Sequence, residues 1–386
     1  MLPEDPLPYD VTALPIDAEA MLQGLEAWVE QESPTYDPAA VGTMVATVAG
    51  RLADLGAEVQ HITAPKPGIG DCALARLPHP RHGEGGILVL CHLDTVHPLG
   101  TLEKLPFRRD GAFCYGPGIV DMKGGTYAAV EALTQLHKAG LQTPLPVSVL
   151  LTSDEEIGSP GTRDLILAEA KRHRVVLVPE PARPDGGCVT GRYAIARFEL
   201  EARGRPSHAG AALGDGRSAI RLMAQEAIEI ENMTTDDCTF SVGVIHGGQW
   251  VNCVPTHCRA EVLSMAKRQA DLDAGIARML ARTSDKGDGT GMDIRLTVVR
   301  PVWEMNGAGK ALYETAETVA HVLGMELPHY SAGGGSDGNF TGAAGIPTLD
   351  GLGVSGFGIH TLEERVDVAS LARSARLQAG LMLALS

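Results

Sequence analysis

The sequence predicts two architectures in one chain: an open, mostly parallel α/β sheet with helices on both faces, and an α+β unit inserted into it. Three observations lead there. Apolar segments of strand length alternate with helical periodicity up to about residue 178, the order changes to β-α-β-β-α-β between residues 192 and 301, and the α/β alternation resumes from residue 302. A length of 386 residues suits this division, because single cores stop growing at about 250–300 residues. The expected domains are therefore a discontinuous one, 1–191 with 302–386, and an insertion, 192–301.

The first helix is read from Val41, Met44, Val45, Val48, Leu52 and Leu55, which share one helical face; Asp37-Pro38 supplies cap and first-turn proline, and Gly56 marks the end. A strand follows at 87–91, a helix at 123–138 ending at Gly140, a strand at 146–152, a helix at 162–172 and a strand at 174–178. These strands are nearly continuous apolar runs, as in parallel sheets covered on both faces. The insertion begins with a strand at 193–202 and a helix at 217–231. Strands at 239–246 and 256–263, a helix at 267–281 and a strand at 293–300 complete a ferredoxin-like order. After Pro301 come a helix at 309–323, a Gly-rich loop, a short strand at 346–350 and a C-terminal helix.

A formal net charge of −16 argues against nucleic acid or an anionic membrane as partner, since both would repel the chain. No apolar run approaches the ~18 residues that span a bilayer. Residues 1–6 have neither the basic start nor the apolar core of a signal peptide. The seven cysteines form no CxxC pair and their number is odd, which predicts a reducing, cytoplasmic setting.

The segment Ile-Leu-Val-Leu-Cys-His-Leu-Asp, residues 87–94, ends a greasy strand by presenting His92 and Asp94. Residues two apart on a strand point the same way, so the Asp94 carboxylate is expected beside the His92 imidazole, as in a metal-bound His with its orienting carboxylate. Asp121, Glu155-Glu156, Glu180 and His360 each follow an apolar segment or lie in a Gly-rich loop. Catalytic groups of open α/β sheets collect at such strand ends. Nitrogen and oxygen donors without a cysteine suit a pair of divalent ions, zinc first, with cobalt or manganese as alternatives. Between two such ions a water would lose its proton near neutral pH. Of the adjacent glutamates, one can bind metal while the other takes that proton and delivers it to the departing amine. Singly, a His-x-Asp is commonly a surface pair, a Glu-Glu a solvated helix start and Asp121 an N-cap. Their joint occurrence carries the metal reading.

Together with Gly116-Pro-Gly-Ile-Val-Asp121-Met-Lys-Gly-Gly125, Asp154-Glu-Glu156, Glu180-Pro and Gly204-Arg-Pro-Ser-His208-Ala-Gly, these residues make the chain resemble metallopeptidase family 20. That family includes glutamate carboxypeptidase, acetylornithine deacetylase, succinyl-diaminopimelate desuccinylase and aminoacylase; the carboxypeptidase branch is the nearest. The resemblance spans nearly the whole chain. It implies that His92 and Glu180 hold one zinc, Glu156 and His360 the other, and that Asp121 bridges them. Asp94 would orient His92, Glu155 would be the general base and acid, and the Asp121-Met122 peptide would be cis. It further implies that the insertion is a lid and dimer interface whose His208 stabilises the oxyanion, frequently in the partner subunit's site.

The resemblance also assigns Asn252 and Arg300 to the substrate's amide and α-carboxylate, and the loop with Gly334, Gly335 and Ser336 to the cleft floor. An Arg fork suits a carboxylate because it donates two parallel hydrogen bonds. Met265 stands near where the glutamate-specific branch has an Arg, and its Lys is missing around Gly187-Cys188, so a neutral or apolar C-terminal residue is expected. The expected substrate is a peptide or N-acyl amino acid with a free carboxylate, cleaved by attack of metal-activated hydroxide, and the expected assembly is a homodimer. An N-acyl-amino-acid deacylase is the nearest alternative and a non-catalytic binding protein the distant one. Residues 333–338 also match GxGxxG and GxSxG, but no strand signal leads into them, and Asp337 would repel a pyrophosphate.

Overall fold

The computed structural model describes residues 9–64 and 66–386; the N-terminal segment read above for a signal peptide lies outside them. Two compact units emerge. One comprises the described residues up to Gly191 with Glu304–Ser331 and Ser336–Ser386, the other Arg192–Trp303 with Ala332–Gly335.

The larger unit is built on a six-stranded sheet in the order Glu58–Ile62, Cys72–Arg76, Val147–Thr152, Ile87–His92, Val175–Leu177, Thr348–Leu349. The last four run parallel and the first two are antiparallel additions at one edge. Strand periodicity divides the apolar side chains between two cores. Ile87, Val89, Cys91, Val147, Val149 and Leu151 face the helices Ala18–Glu30, Pro38–Ala53, Gly124–Lys138, Gly307–Val322 and Val368–Ala384. Leu88, Leu90, Leu150 and Val176 face the other way, towards Ile166 and Ala170 of the helix Arg163–Ala170. Helices thus cover both faces of a mostly parallel sheet, as the sequence predicts. Neither of these two strands is announced in the sequence, because each is only five residues long and Glu58–Ile62 is largely exposed.

A second sheet matters more for the site. Four strands of two or three residues, Gly356–Phe357, Arg365–Asp367, Phe113–Tyr115 and Arg108–Asp110, pair antiparallel in that order. This sheet ties the late Gly-rich segment to the chain just before Gly116. Strands so short carry no periodicity, so nothing in the sequence announces them.

The smaller unit has an antiparallel sheet in the order Cys238–Gly247, His257–Ala266, Ala194–Arg203, Gly291–Arg300, Ser284–Asp285. Ala194, Ala196, Phe198, Leu200 and Ala202 alternate into a core with the helices Ala219–Glu231 and Gln269–Leu280, while Arg197, Glu199, Glu201 and Arg203 occupy the open face. The β-α-β-β-α-β order is present, with one two-residue strand added at the edge.

One reading is corrected. A strand, His329–Ala332, does lead into the 333–338 loop, and a six-residue helix, Gly338–Ala343, follows it. His-Tyr-Ser-Ala is mostly exposed and pairs only with Cys188–Arg192, so it lacks the apolar signature of a central strand. The loop still provides no serine nucleophile: the buried Ser336 hydroxyl donates to Asp350. The buried Asp337 carboxylate accepts from the hydroxyls of Ser159 and Thr152.

Candidate metal centre

His92 is the last residue of the strand Ile87–His92 and is buried. Its Nδ1 lies 3.0 Å from the Asp94 carbonyl oxygen. A carbonyl only accepts, so Nδ1 carries a proton and Nε2 is the ring nitrogen turned to the site. Nε2 lies 3.2 Å from Asp121 Oδ1 and 3.6 Å from Glu180 Oε1. On the other side of Asp121, His360 Nε2 lies 3.2 Å from Asp121 Oδ2 and 3.2 Å from Glu156 Oε2. Two triads result, His92–Asp121–Glu180 and Asp121–Glu156–His360, each with its donor atoms within 4.8 Å of one another. Asp121 belongs to both, presenting one carboxylate oxygen to each histidine.

Local conformation delivers these groups. The chain turns through Gly118 at φ 68° into a wide helical turn, Ile119–Lys123, interrupted at Asp121 and Met122, before the regular helix Gly124–Lys138. The Asp121-Met122 peptide is cis. His360 has φ 64°, a left-handed conformation uncommon outside glycine, and is half exposed, unlike the other donors. Left-handed residues other than glycine cluster at functional sites.

Asp94 reaches both the histidine and the two glutamates. Its carboxylate lies 3.4 Å from His92 Nδ1, farther than its own carbonyl oxygen. Its shorter contacts are to the amides of Glu155 and Glu156, both at 3.1 Å, and to the Thr35 hydroxyl at 2.8 Å. One buried carboxylate thus fixes the backbone of both glutamates beside the histidine loop. Glu155 itself is buried.

Gathering Asp121, Glu155, Glu156 and Glu180 gives the centre a strong affinity for positive charge. Burial and the charge of Asp121 push Glu156 up to about 8, and the same two causes hold Glu180 well above the usual carboxylate range. Burial also opposes ionisation of Asp121, but hydrogen bonds from His360 and His92 outweigh it and lower its pKa. Asp121 and Glu156 raise His360 to about 11. His92 is raised despite its burial by Asp121, Asp94 and Glu180. A field that binds protons this tightly also favours divalent cations, whose uptake must release those protons. The donor set of imidazole and carboxylate, without thiolate, fits a zinc pair.

The remaining predicted residues lie in the smaller unit, apart from Ser336. His208 Nδ1 accepts from the amides of Gly210 at 3.1 Å and Ala211 at 3.0 Å, which leaves the proton on Nε2 as an outward donor. Asn252 is joined to this segment, its carbonyl accepting from Ala209 at 2.9 Å. Arg300 sits elsewhere. It pairs with Ile195, whereas His257, just past Asn252, pairs with Arg203 at the other end of the same strand. Eight residue steps separate those ends, roughly 26 Å at the rise of a strand. Within one chain, Asn252 and Arg300 therefore do not meet.

At the Arg300 end, Met265 and Arg300 both pair with Ile195, which puts the three side chains in one row on the open face. Gly335 covers that row so closely that a Cβ would lie 2.6 Å from Ile195 Cδ1 and 2.9 Å from Arg300 Cδ. Gly334 is held through its carbonyl by the Arg192 guanidinium at 2.9 Å, a contact not anticipated from sequence. In the larger unit, Cys188 is buried and opens the strand Cys188–Arg192.

Residues 88–384 match the profile of peptidase family M20/M25/M40, which spans the strand of His92, both triads and the smaller unit. The chain belongs to that family. Carboxypeptidase G2 of Pseudomonas sp. (strain RS-16) is 30% identical over 377 residues, covering 94% of this chain and 89% of the relative. Succinyl-diaminopimelate desuccinylase of Thioalkalivibrio sulfidiphilus is 27% identical over 361 residues, covering 87% and 91%. The M20 family metallo-carboxypeptidase Sso-CP2 from Sulfolobus solfataricus has the same fold, with a TM-score of 0.72 at 16% identity over 94% of this chain and 99% of that one. As a member of this peptidase family, the chain is a hydrolase of amide bonds. Among the described residues, no helix is long and apolar enough to cross a membrane, and all seven cysteines are free thiols.

Proposed function

We propose that this chain is a dinuclear, zinc-dependent carboxypeptidase that removes the C-terminal residue from a peptide or N-acyl amino acid. The observation that carries the reading is the pair of triads sharing Asp121, with Glu155 fixed next to Glu156 by the Asp94 carboxylate. His92, Asp121 and Glu180 would hold one ion, and Asp121, Glu156 and His360 the other. When bound, the ions supply Lewis acidity and make water a nucleophile near neutral pH. Glu155 takes the proton of the attacking water and delivers it to the amine as the amide breaks. His208, with its proton on Nε2, donates to the oxyanion, and Asn252 steadies the amide beside it.

Arg300 is the group we assign to the substrate's α-carboxylate. The distance between Arg300 and the His208–Asn252 pair supports a dimer in which a second copy supplies His208 and Asn252 to each site. Ile195 beside Arg300 and Met265 beyond it in the same row are apolar, which supports a neutral or apolar C-terminal residue. A substrate panel varying the acyl group and the C-terminal residue separately tests this. C-terminal Leu or Phe is expected to exceed Glu in kcat/KM, and Met265→Arg to raise the Glu substrate by about tenfold or more, the scale of one charge-assisted hydrogen bond. Preference for N-acetyl or N-succinyl substrates irrespective of the C-terminal residue would favour instead the deacylase reading, to which the desuccinylase likeness lends support.

A further inference from the structure

We propose that Glu364, together with His97, is a positioning residue that sets the second metal triad. This rests on reading the two triads as metal sites. Glu364 is 1% exposed, and four donors converge on its carboxylate. Oε1 accepts from the amides of Val120 at 2.9 Å and Asp121 at 3.2 Å; Oε2 accepts from the amide of Gly118 at 3.0 Å and from His97 Nε2 at 2.7 Å. A carboxylate has about four lone-pair sites, so its accepting capacity is filled.

The placement of these partners gives Glu364 its role. Val120 and Asp121 belong to the interrupted turn that delivers Asp121. His97 lies just past His92 and Asp94, on the loop leaving the strand of the first triad's histidine. Glu364 itself closes the loop between the strands Gly356–Phe357 and Arg365–Asp367, and that loop carries His360. Within the loop, the Glu364 amide donates to Thr361 and the Glu364 carbonyl accepts from Gly116 at 3.2 Å. One side chain therefore joins three ligand-bearing segments. It holds the amide of Asp121 and, through four residues of turn, the left-handed backbone of His360.

This constellation has no use in the protonation chemistry, since its acceptors are consumed by three backbone amides and His97. What it fixes is the separation of Asp121 from His360. A triad needs its donors held within about half an ångström to bind metal well, and partners of ligands commonly contribute 10–100-fold to metal affinity. Glu364→Gln keeps the shape but replaces one acceptor oxygen by an NH2 that must face an amide N–H or His97.

The test is a calorimetric titration of metal-free protein with zinc or cobalt, alongside the thermal transition of the metal-free form. Wild type should take up two ions. Glu364→Gln should bind the second ion 10–100-fold more weakly, with kcat reduced, KM near wild type and the metal-free transition little changed. Unchanged affinities, or a loss of thermal stability alone, would overturn the proposal. Should Glu364→Gln not fold, His97 decides: His97→Leu removes a donor and should weaken the second ion, and His97→Gln restores an N–H and should recover it. Equal affinities in that pair overturn the proposal. Wild type that takes up no second ion would sink the two-metal reading itself, and this inference with it.

Discussion

Glu155→Gln is expected to lower kcat by ~10²–10⁴-fold, the usual loss when a positioned acid–base group is removed, while metal uptake stays as in the wild type. The two glutamates are adjacent, and Asp94 binds both backbone amides. Their side chains nevertheless diverge in role, because Glu156 belongs to the Asp121–His360 triad. Gln at 155 preserves volume and hydrogen bonding but cannot take a proton. Steady-state kinetics with metal analysis on the same preparation checks this. Turnover within a factor of two of wild type would remove Glu155 from the mechanism, and loss of an ion would show that it binds metal. An unaltered rate would also leave room for a protein that keeps the fold without this chemistry.

The second large effect concerns His208. Its alanine variant should lose ~10²–10³-fold in kcat, the cost of one oxyanion donor. If the donor comes from a second copy, co-expressed Glu155→Gln and His208→Ala chains should recover activity that neither has alone. Random pairing makes half of the dimers mixed, and each mixed dimer has one complete site, so the recovery should reach about a quarter of wild type. No recovery in verified mixed dimers would place His208 and Glu155 of one chain in the same site. That outcome would also remove the reason offered here for the distance between Asn252 and Arg300.

Much of the centre is legible in sequence because its residues sit where strands end. Ile87–His92 and Val147–Thr152 are mostly apolar runs, and a polar residue at the end of such a run in an α/β sheet falls at the edge where ligands bind. Glu364 was invisible for the opposite reason. It lies in Glu363-Glu364-Arg365, a charged run that reads as solvated surface, and only pairing between strands of two or three residues carries it inside. The contacts of Asp94 with Glu155 and Glu156 span some sixty residues of sequence, so alternation along the strand pointed only to its nearer neighbour, His92. The distance between Asn252 and Arg300 depends on strand register, which residue spacing does not disclose.

The central claim is that two divalent ions share Asp121. Metal content after dialysis, measured for wild type and Asp121→Asn, tests it most directly. Two equivalents are expected for wild type, with uptake weakening as pH falls because cation binding must displace protons from Glu156, at about 8, and His360, at about 11. Asp121→Asn should weaken both ions at once, and chelation should abolish hydrolysis that zinc then restores. A single equivalent in wild type, or hydrolysis that survives complete chelation, would contradict the account.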